Sequence, residues 1–420
     1  MTPKILTTLR DYSVESFRAD LWAGVTVAMV AMPLSLAIAI ASGAGPETGL
    51  VTAIVAGFLI SALGGSRVQI GGPTGAFIVV VAGVIHTHGF SGLVTATFMA
   101  GLILLAAGAL RAGRLIRFVP EPVINGFTIG IAVIIALSQL RDVFGMTAPM
   151  PAEALEKLAA LWEARGEIAL WPLAIGLATM VLITLFRRLA PSWPGLIVAV
   201  ALTSGAVALF GLPVETLGDR FGTLPRGLPM PELPDLSPAK LRELLPSALI
   251  IAFLAGVESL LSAMVADRMT GFRHRSGAEL LAQGAANLGS SLFGGLPATG
   301  AIARTATNIR AGGRTPVAGL VHALTILLAM LVAAPLASGL AMPALAGLLL
   351  LTAWNMSEPQ HWRAHFLEGR RSDRVLLIMT CLLTIFADLT VAIGLGVAAG
   401  LALRLQRREV PPADWTPPDR

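Results

Sequence analysis

Two ionisable residues, Glu258 and Arg304, interrupt stretches of sequence that are otherwise apolar. If such stretches cross a membrane, each charge costs about 2.5–3.5 kcal/mol on insertion scales, so it usually faces a partner or a water-filled cavity. A partly desolvated carboxylate can take up a proton, and a guanidinium presents a planar fork of donors to an oxyanion. Glu258 is therefore predicted to be a proton-coupling group and Arg304 an anion-binding group.

Each residue also has a purely structural interpretation. Glu258 would pair with a cation or a backbone group and only hold helices together. Arg304 would be a loop arginine like Arg310. Two further polar residues in apolar segments, His322 and Asn125, are interpreted as packing residues with satisfied hydrogen bonds.

A glycine-rich phrase interrupts the apolar sequence twice, as GGPTGA at 71–76 and as GGLPATGA at 294–301. Each break lets an extended backbone run into a short helix, whose unbonded N–H groups and positive dipole end point into the protein. Two such breaks at matching places in two halves indicate a transporter binding site, whereas a single one would indicate only a helix end. The predicted substrate-binding residues are Leu34, Ser35, Ile38, Thr74, Gly75, Ala76, Thr299, Gly300, Ala301, Ala303 and Arg304.

The composition is that of an integral membrane protein. Apolar residues make up 55% of the 420 positions, charged residues 13%, and the mean hydropathy is +0.77, values outside the range of soluble domains. The predicted fold class is an all-α polytopic membrane protein. Basic residues lie in loops rather than in a soluble module, so nucleic acid is not an expected partner. His361 and His365 lack a third ligand and no nucleotide fingerprint occurs, so neither a metal, a cofactor nor an enzymatic activity is expected.

The apolar pattern predicts fourteen transmembrane segments in a 7+7 inverted repeat, at 20–43, 50–64, 74–86, 91–110, 121–140, 168–188, 194–211, 246–266, 278–293, 299–310, 316–338, 341–356, 373–388 and 390–405. The third and tenth are shorter than the roughly 20 residues that a spanning helix needs, so each is expected to begin near mid-membrane. The predicted divisions are an interfacial N-terminal segment 1–19, a first repeat 20–211, an extracellular connector 212–245, a second repeat 246–405 and a tail 406–420. Seven segments per repeat invert the second copy, which implies alternating access.

Charge gives the orientation of this arrangement. With both termini on one side, that side receives 20 of the basic residues and the opposite side receives 7. Arg67, Arg304 and Arg420 are left out of this count. The positive-inside rule then places both termini in the cytoplasm of a cell whose inner (plasma) membrane holds the protein.

Six short motifs lie along the chain: DLWAGVTV at 20–27, MP at 32–33, GGP at 71–73, NGFT at 125–128, ESLLS at 258–262 and ATGAIARTATN at 298–308. Together they resemble the SulP sulfate permease family of anion transporters, in particular its bacterial branch, from about residue 10 to 405. The resemblance implies core and gate domains, with the site in the core. It also implies transport of sulfate, bicarbonate, chloride or dicarboxylates by a symporter, an exchanger or a channel.

The sequence departs from this family in two respects. Leu34 stands where many members have Gln, and Ala303 stands where animal members usually have Ser, so side-chain hydrogen bonding is lost from the expected pocket. Most members continue into a cytoplasmic STAS domain, which is absent from this sequence. The sequence is therefore that of either a truncated chain or a membrane-only member, and it gives no information on regulation or dimerisation through that domain.

These observations predict a secondary active anion transporter. The favoured mechanism is proton-coupled symport of a small carboxylate, a dicarboxylate or a similar oxyanion such as sulfate or bicarbonate. The alternatives are an anion exchanger or channel of the same family, or a nucleobase:proton symporter of similar fold, against which the Ala303-Arg304-Thr305 motif argues. The expected partners are the anion, protons and the lipid bilayer, and a homodimer is compatible with the sequence.

Overall fold

Long helices dominate the part of the chain that the computed structural model describes, residues 2–113, 121–148, 150–151, 153–190, 193–359, 362, 370–387, 394–396, 398–400 and 402. The elements of the first half are α1 Lys4–Thr8, α2 Val14–Ala41, α3 Pro46–Leu63, β1 Gly71–Gly72, a 3-10 turn Gly75–Phe77, α4 Ile78–Ala109, α5 Glu121–Phe144, α6 Ala154–Glu163, a 3-10 turn Ala164–Glu167, α7 Leu170–Leu189 and α8 Gly195–Phe210. Those that follow are α9 Leu217–Phe221, α10 Pro238–Thr270, α11 Ser276–Leu292, β2 Thr299–Gly300, α12 Ile302–Arg310, α13 Val317–Ala337, α14 Met342–Met356 and α15 Arg371–Phe386.

Helix length and composition agree with a polytopic membrane protein. Within the described ranges, seven helices are long and apolar enough to cross a bilayer, and α8 and α14 are shorter apolar helices. α4 bends at Gly89, whose φ of 71° is a left-handed value that favours glycine, and so divides into two segments where the sequence predicted a break between 86 and 91. Thirteen predicted segments thus correspond to described elements, and most of the fourteenth, 390–405, lies outside the described residues.

Two helices begin earlier than the hydropathy pattern predicted. α2 starts at Val14, inside the predicted interfacial segment 1–19, because Ser13 caps it by accepting a hydrogen bond from the Ser16 N–H. α10 starts at Pro238, inside the predicted connector 212–245, and continues through Pro246. Polar residues in these two extensions lower the local hydropathy, although the backbone is already helical.

The two halves pack with the pattern expected of an inverted repeat. α4 packs against α10 and α11, and the equivalent helix α13 packs against α2 and α3. In the same way α5 packs against α15, and α14 packs against α7. These contacts recur between the equivalent helices when the two halves are exchanged, which is the signature of a pseudo-two-fold axis.

The two glycine-rich breaks meet as a two-stranded ribbon at the centre of this arrangement. β1 and β2 pair antiparallel, with Gly71 opposite Gly300 and Gly72 opposite Thr299. Buried residues of α3 and α10 pack against the ribbon. The ribbon therefore fixes where the two interrupted helices begin.

Candidate functional site

The ribbon brings the beginnings of the two interrupted helices together. Because β1 and β2 run antiparallel, the helices that follow them leave in opposite directions, and their N-terminal ends meet at the ribbon. The first backbone bond of α12 runs from the Thr305 N–H to the Ala301 carbonyl, and that of the opposite turn runs from the Phe77 N–H to the Thr74 carbonyl. The preceding N–H groups in each helix are the donors that a helix leaves unbonded.

This geometry changes which backbone donors are available. The predicted donor Ala301 N–H bonds to the Ile70 carbonyl at 2.9 Å, so it is not available to an anion. The Thr299 hydroxyl donates to the Ala255 carbonyl of α10 at 2.9 Å. The Ala301 N–H is consumed by the residue that precedes β1, and the Thr299 hydroxyl by helix α10. The available donors lie one or two residues later, at Ile302 and Ala303.

Arg304 lies next to strand β1 of the ribbon and is 1% exposed. Its Nη2 donates to the Ser35 hydroxyl oxygen at 3.0 Å, which ties α12 to the first spanning helix. Gly72 lets the guanidinium approach, because a Cβ on that residue would stand 2.3 Å from Nη1. The interpretation of Arg304 as a loop arginine like Arg310 is therefore wrong.

The guanidinium is only partly satisfied. Nε and Nη1 of Arg304 are buried and have no hydrogen-bond partner. Among the described residues, no carboxylate lies within ion-pair distance of it. A buried charge without a partner is costly, so Arg304 has the chemistry of a group that binds an anion.

Glu258 lies in α10 and contacts the start of the first interrupted helix. Its Oε2 accepts a hydrogen bond from the Thr74 hydroxyl at 3.0 Å, and the residue is half-buried. Within the described part of the chain it forms no ion pair. The carboxylate is thus tied directly to the residue that precedes the first interrupted helix.

The remaining predicted residues form the walls of the site. Leu34 and Ile38, on the helix face that also carries Ser35, are buried at 9% and 2% exposure. The position of a Cβ on Gly75 would be 3.4 Å from Met356 Sδ and 3.6 Å from Ile135 Cδ1, so helices α5 and α14 close the site on that side. Of the other predicted binding residues, Ala76 and Gly300 are buried and Ala303 is exposed.

A buried polar network supports the ribbon and was missed by sequence reasoning. The Glu279 carboxylate, 0% exposed, accepts hydrogen bonds from the Gly65 and Ser66 N–H groups and from Ser259 and Gln283. Gln69 donates to the same Ser259 hydroxyl at 2.9 Å. An acidic residue inside an apolar segment at 278–293 was the available signal, and it marks a support for the site rather than a binding group.

Two polar residues do not match their predicted environment. His322 and Asn125 are buried, as expected, but both ring nitrogens of His322 and the Asn125 Nδ2 have no hydrogen-bond partner. A Cβ on Gly57 would lie 3.6 Å from His322 Nδ1, so the imidazole packs against α3. The predicted histidine pair 361 and 365 lies outside the described residues.

Comparison with known sequences identifies relatives along nearly the whole chain. Residues 17–380 match the sulfate permease family. The chain is 42% identical over 396 residues to the putative sulfate transporter YvdB of Bacillus subtilis (strain 168), covering 94% of this chain and 74% of that protein. It is 32% identical over 412 residues to the bicarbonate transporter BicA of Picosynechococcus sp., covering 93% and 71%.

Solved structures give the same fold. The transmembrane domain of a cyanobacterial bicarbonate transporter BicA superposes with a TM-score of 0.80 at 31% identity, covering 93% of this chain and 98% of that one. The inward-facing structure of the murine anion transporter Slc26a9 gives a TM-score of 0.88 at 18% identity, over 97% and 72% of the two chains. The second similarity concerns the fold alone.

Proposed function

The chain belongs to the sulfate permease family, and on that premise we propose that it is a proton-coupled symporter of a small oxyanion. Membership of this transporter family supports multi-pass anion transport over the nucleobase alternative. The relatives are named for sulfate and bicarbonate. Sulfate, bicarbonate and small dicarboxylates are therefore the first substrates to test.

One observation carries the proposal: a buried arginine with two unpartnered nitrogens beside the beginnings of two interrupted helices. Each helix N-terminus contributes about 0.3–1 kcal/mol, and up to about 2 kcal/mol when partly buried. Desolvation of an ion costs several kcal/mol even after the protein relaxes. The helix dipoles alone are too weak, so the fixed charge of Arg304 must supply the difference.

Glu258 is the proposed coupling group. Its bond to the Thr74 hydroxyl holds the carboxylate beside the first interrupted helix, where an arriving anion brings a second negative charge. Like charges at one site favour protonation of the carboxylate. Proton and anion binding therefore reinforce each other, which is the thermodynamic requirement for symport.

The proposed movement is alternating access between the two groups of helices. The site residues lie on α2, the 3-10 turn Gly75–Phe77, α10, β2 and α12. Ile135 and Met356 reach Gly75 from α5 and α14. This second group meets the site through apolar van der Waals contacts near Gly75. Apolar surfaces of this kind can slide without breaking polar bonds, which suits an elevator or rocking motion.

Uptake into proteoliposomes tests the proposal. Purified protein is reconstituted, a pH gradient is imposed with the acidic side outside, and uptake of radiolabelled sulfate or a four-carbon dicarboxylate is measured against empty liposomes. We expect transient accumulation of one labelled anion above its external concentration, abolished by a protonophore while the membrane potential is clamped.

The alternatives predict different results in the same assay. An exchanger of one oxyanion for another accumulates label only when unlabelled oxyanion is loaded inside, whatever the pH gradient. A channel lets the anion reach its electrochemical equilibrium and no more. Either result would contradict proton-coupled symport while leaving anion transport intact.

A further inference from the structure

His322 is a buried titratable residue for which the transport mechanism described so far has no use. It lies in α13, is 0% exposed, and neither ring nitrogen has a hydrogen-bond partner. An apolar side chain would fill the same volume without burying two unpaired polar atoms. Ionisable residues inside a membrane segment usually serve an ion pathway.

His322 and the ribbon both lie against the same face of α3. A Cβ on Gly57 would stand 3.2 Å from the Gly71 carbonyl oxygen and 3.6 Å from His322 Nδ1. The imidazole is therefore a close neighbour of strand β1, on the side that α3 covers.

Arg304 contacts the next residue of that strand. A Cβ on Gly72 would stand 2.3 Å from Arg304 Nη1 and 3.6 Å from the Ala53 Cα of α3. Ala53 precedes Gly57 by one helical turn, a spacing of about 5–6 Å. The guanidinium and the imidazole thus lie about one helical turn apart along α3, close enough for their charges to interact in a buried environment.

Other charged groups near α13 lie at a different depth. α13 itself carries no charged residue and packs against α2 and α3. Asp20 of α2 bonds to Thr315, two helical turns before His322, and Glu47 of α3 lies ten residues before Gly57. The remaining charged groups of these elements and of the connection after α12 lie near the same end as Asp20: Glu15, Arg18, Arg310 and Arg314.

We propose that His322 is a second proton acceptor, whose protonation is linked to anion binding beside Arg304. The inference rests on the proposed function, because it takes the anion to bind next to that guanidinium. With the site empty, burial and, after it, like-charge repulsion from Arg304 both oppose a charge on the imidazole. The negative charge of a bound anion offsets both, so a proton from water adds to a ring nitrogen as the anion binds, and leaves when the anion leaves.

The pH dependence of anion affinity tests this linkage. Sulfate binding to the purified full chain is measured by calorimetry at several values between about pH 5 and pH 8. The slope of log affinity against pH gives the number of protons taken up with the anion. We expect His322→Asn and His322→Gln to reduce this slope by up to one, so that affinity changes up to about tenfold less per pH unit.

His86→Asn is the matched control, because His86 is an exposed histidine at the far end of the first part of α4. It should leave the slope unchanged. An unchanged slope in both monodisperse His322 variants, or a parent protein that takes up no proton, would overturn the inference. Failure of the proposed function looks different, since anion binding would then be insensitive to Arg304→Ala.

Discussion

Gly72→Ala perturbs the site through sterics alone and tests whether the position of Arg304 sets anion affinity. The new Cβ would lie 2.3 Å from Arg304 Nη1, whereas a van der Waals contact needs about 3.5 Å, so the guanidinium must move by about 1 Å. That displacement breaks the 3.0 Å bond from Nη2 to the Ser35 hydroxyl. The φ of 151° at Gly72 adds about 1–3 kcal/mol of backbone strain.

We expect Gly72→Ala to remain folded but to bind the anion about 10- to 100-fold more weakly, the range for a lost hydrogen bond to a charged group. Calorimetric titration of monodisperse protein measures the affinity. Gly83→Ala is the control, because a Cβ there meets nothing within 4 Å and alanine favours the helix. Parental affinity in folded Gly72→Ala would refute the reasoning.

Three further predictions concern coupling, topology and stability. Glu258→Gln should bind the anion but lose uptake driven by an imposed pH gradient, and a parental response would make Glu258 structural. In a background without the native cysteine, a cysteine at Ser237 should react with an impermeant reagent from outside and one at Ser372 should not, and the reverse would overturn the topology. Burial lowers the pKa of Lys157, so the folded state disfavours its charge and stability should rise as pH approaches 10.5. Lys157→Met should remove that dependence and stabilise the fold by about 1–2 kcal/mol in thermal unfolding, and destabilisation would contradict this reasoning.

Sequence reasoning predicted the architecture because hydropathy and the glycine-rich phrases are local features of the sequence. Hydropathy locates a spanning helix without knowledge of its neighbours, and the repeated glycine-rich phrases located the two interruptions. Helix starts were less accurate, because the cap at Ser13 and the polar turn after Pro238 are helical without being apolar. Hydropathy reports the environment of a segment and not its backbone conformation.

Sequence reasoning could not predict contacts between residues that lie far apart in the chain. The buried position of Arg304 follows from the motif around it, whereas its bond to Ser35 joins residues 269 positions apart. Pairing of β1 with β2 decides that the Ala301 N–H is consumed, and no local pattern reports a pairing across the repeat. The unpartnered state of His322 depends in the same way on which helices pack around it.

Calorimetric titration of Arg304→Ala against sulfate tests the central claim most directly. The parent guanidinium is buried, carries two unpartnered nitrogens and supplies the fixed charge at the paired helix beginnings. We predict that Arg304→Ala loses measurable binding and that Arg304→Lys restores it only in part, because an ammonium lacks the planar fork of donors. Unchanged sulfate affinity in monodisperse Arg304→Ala would place the anion elsewhere and contradict the account.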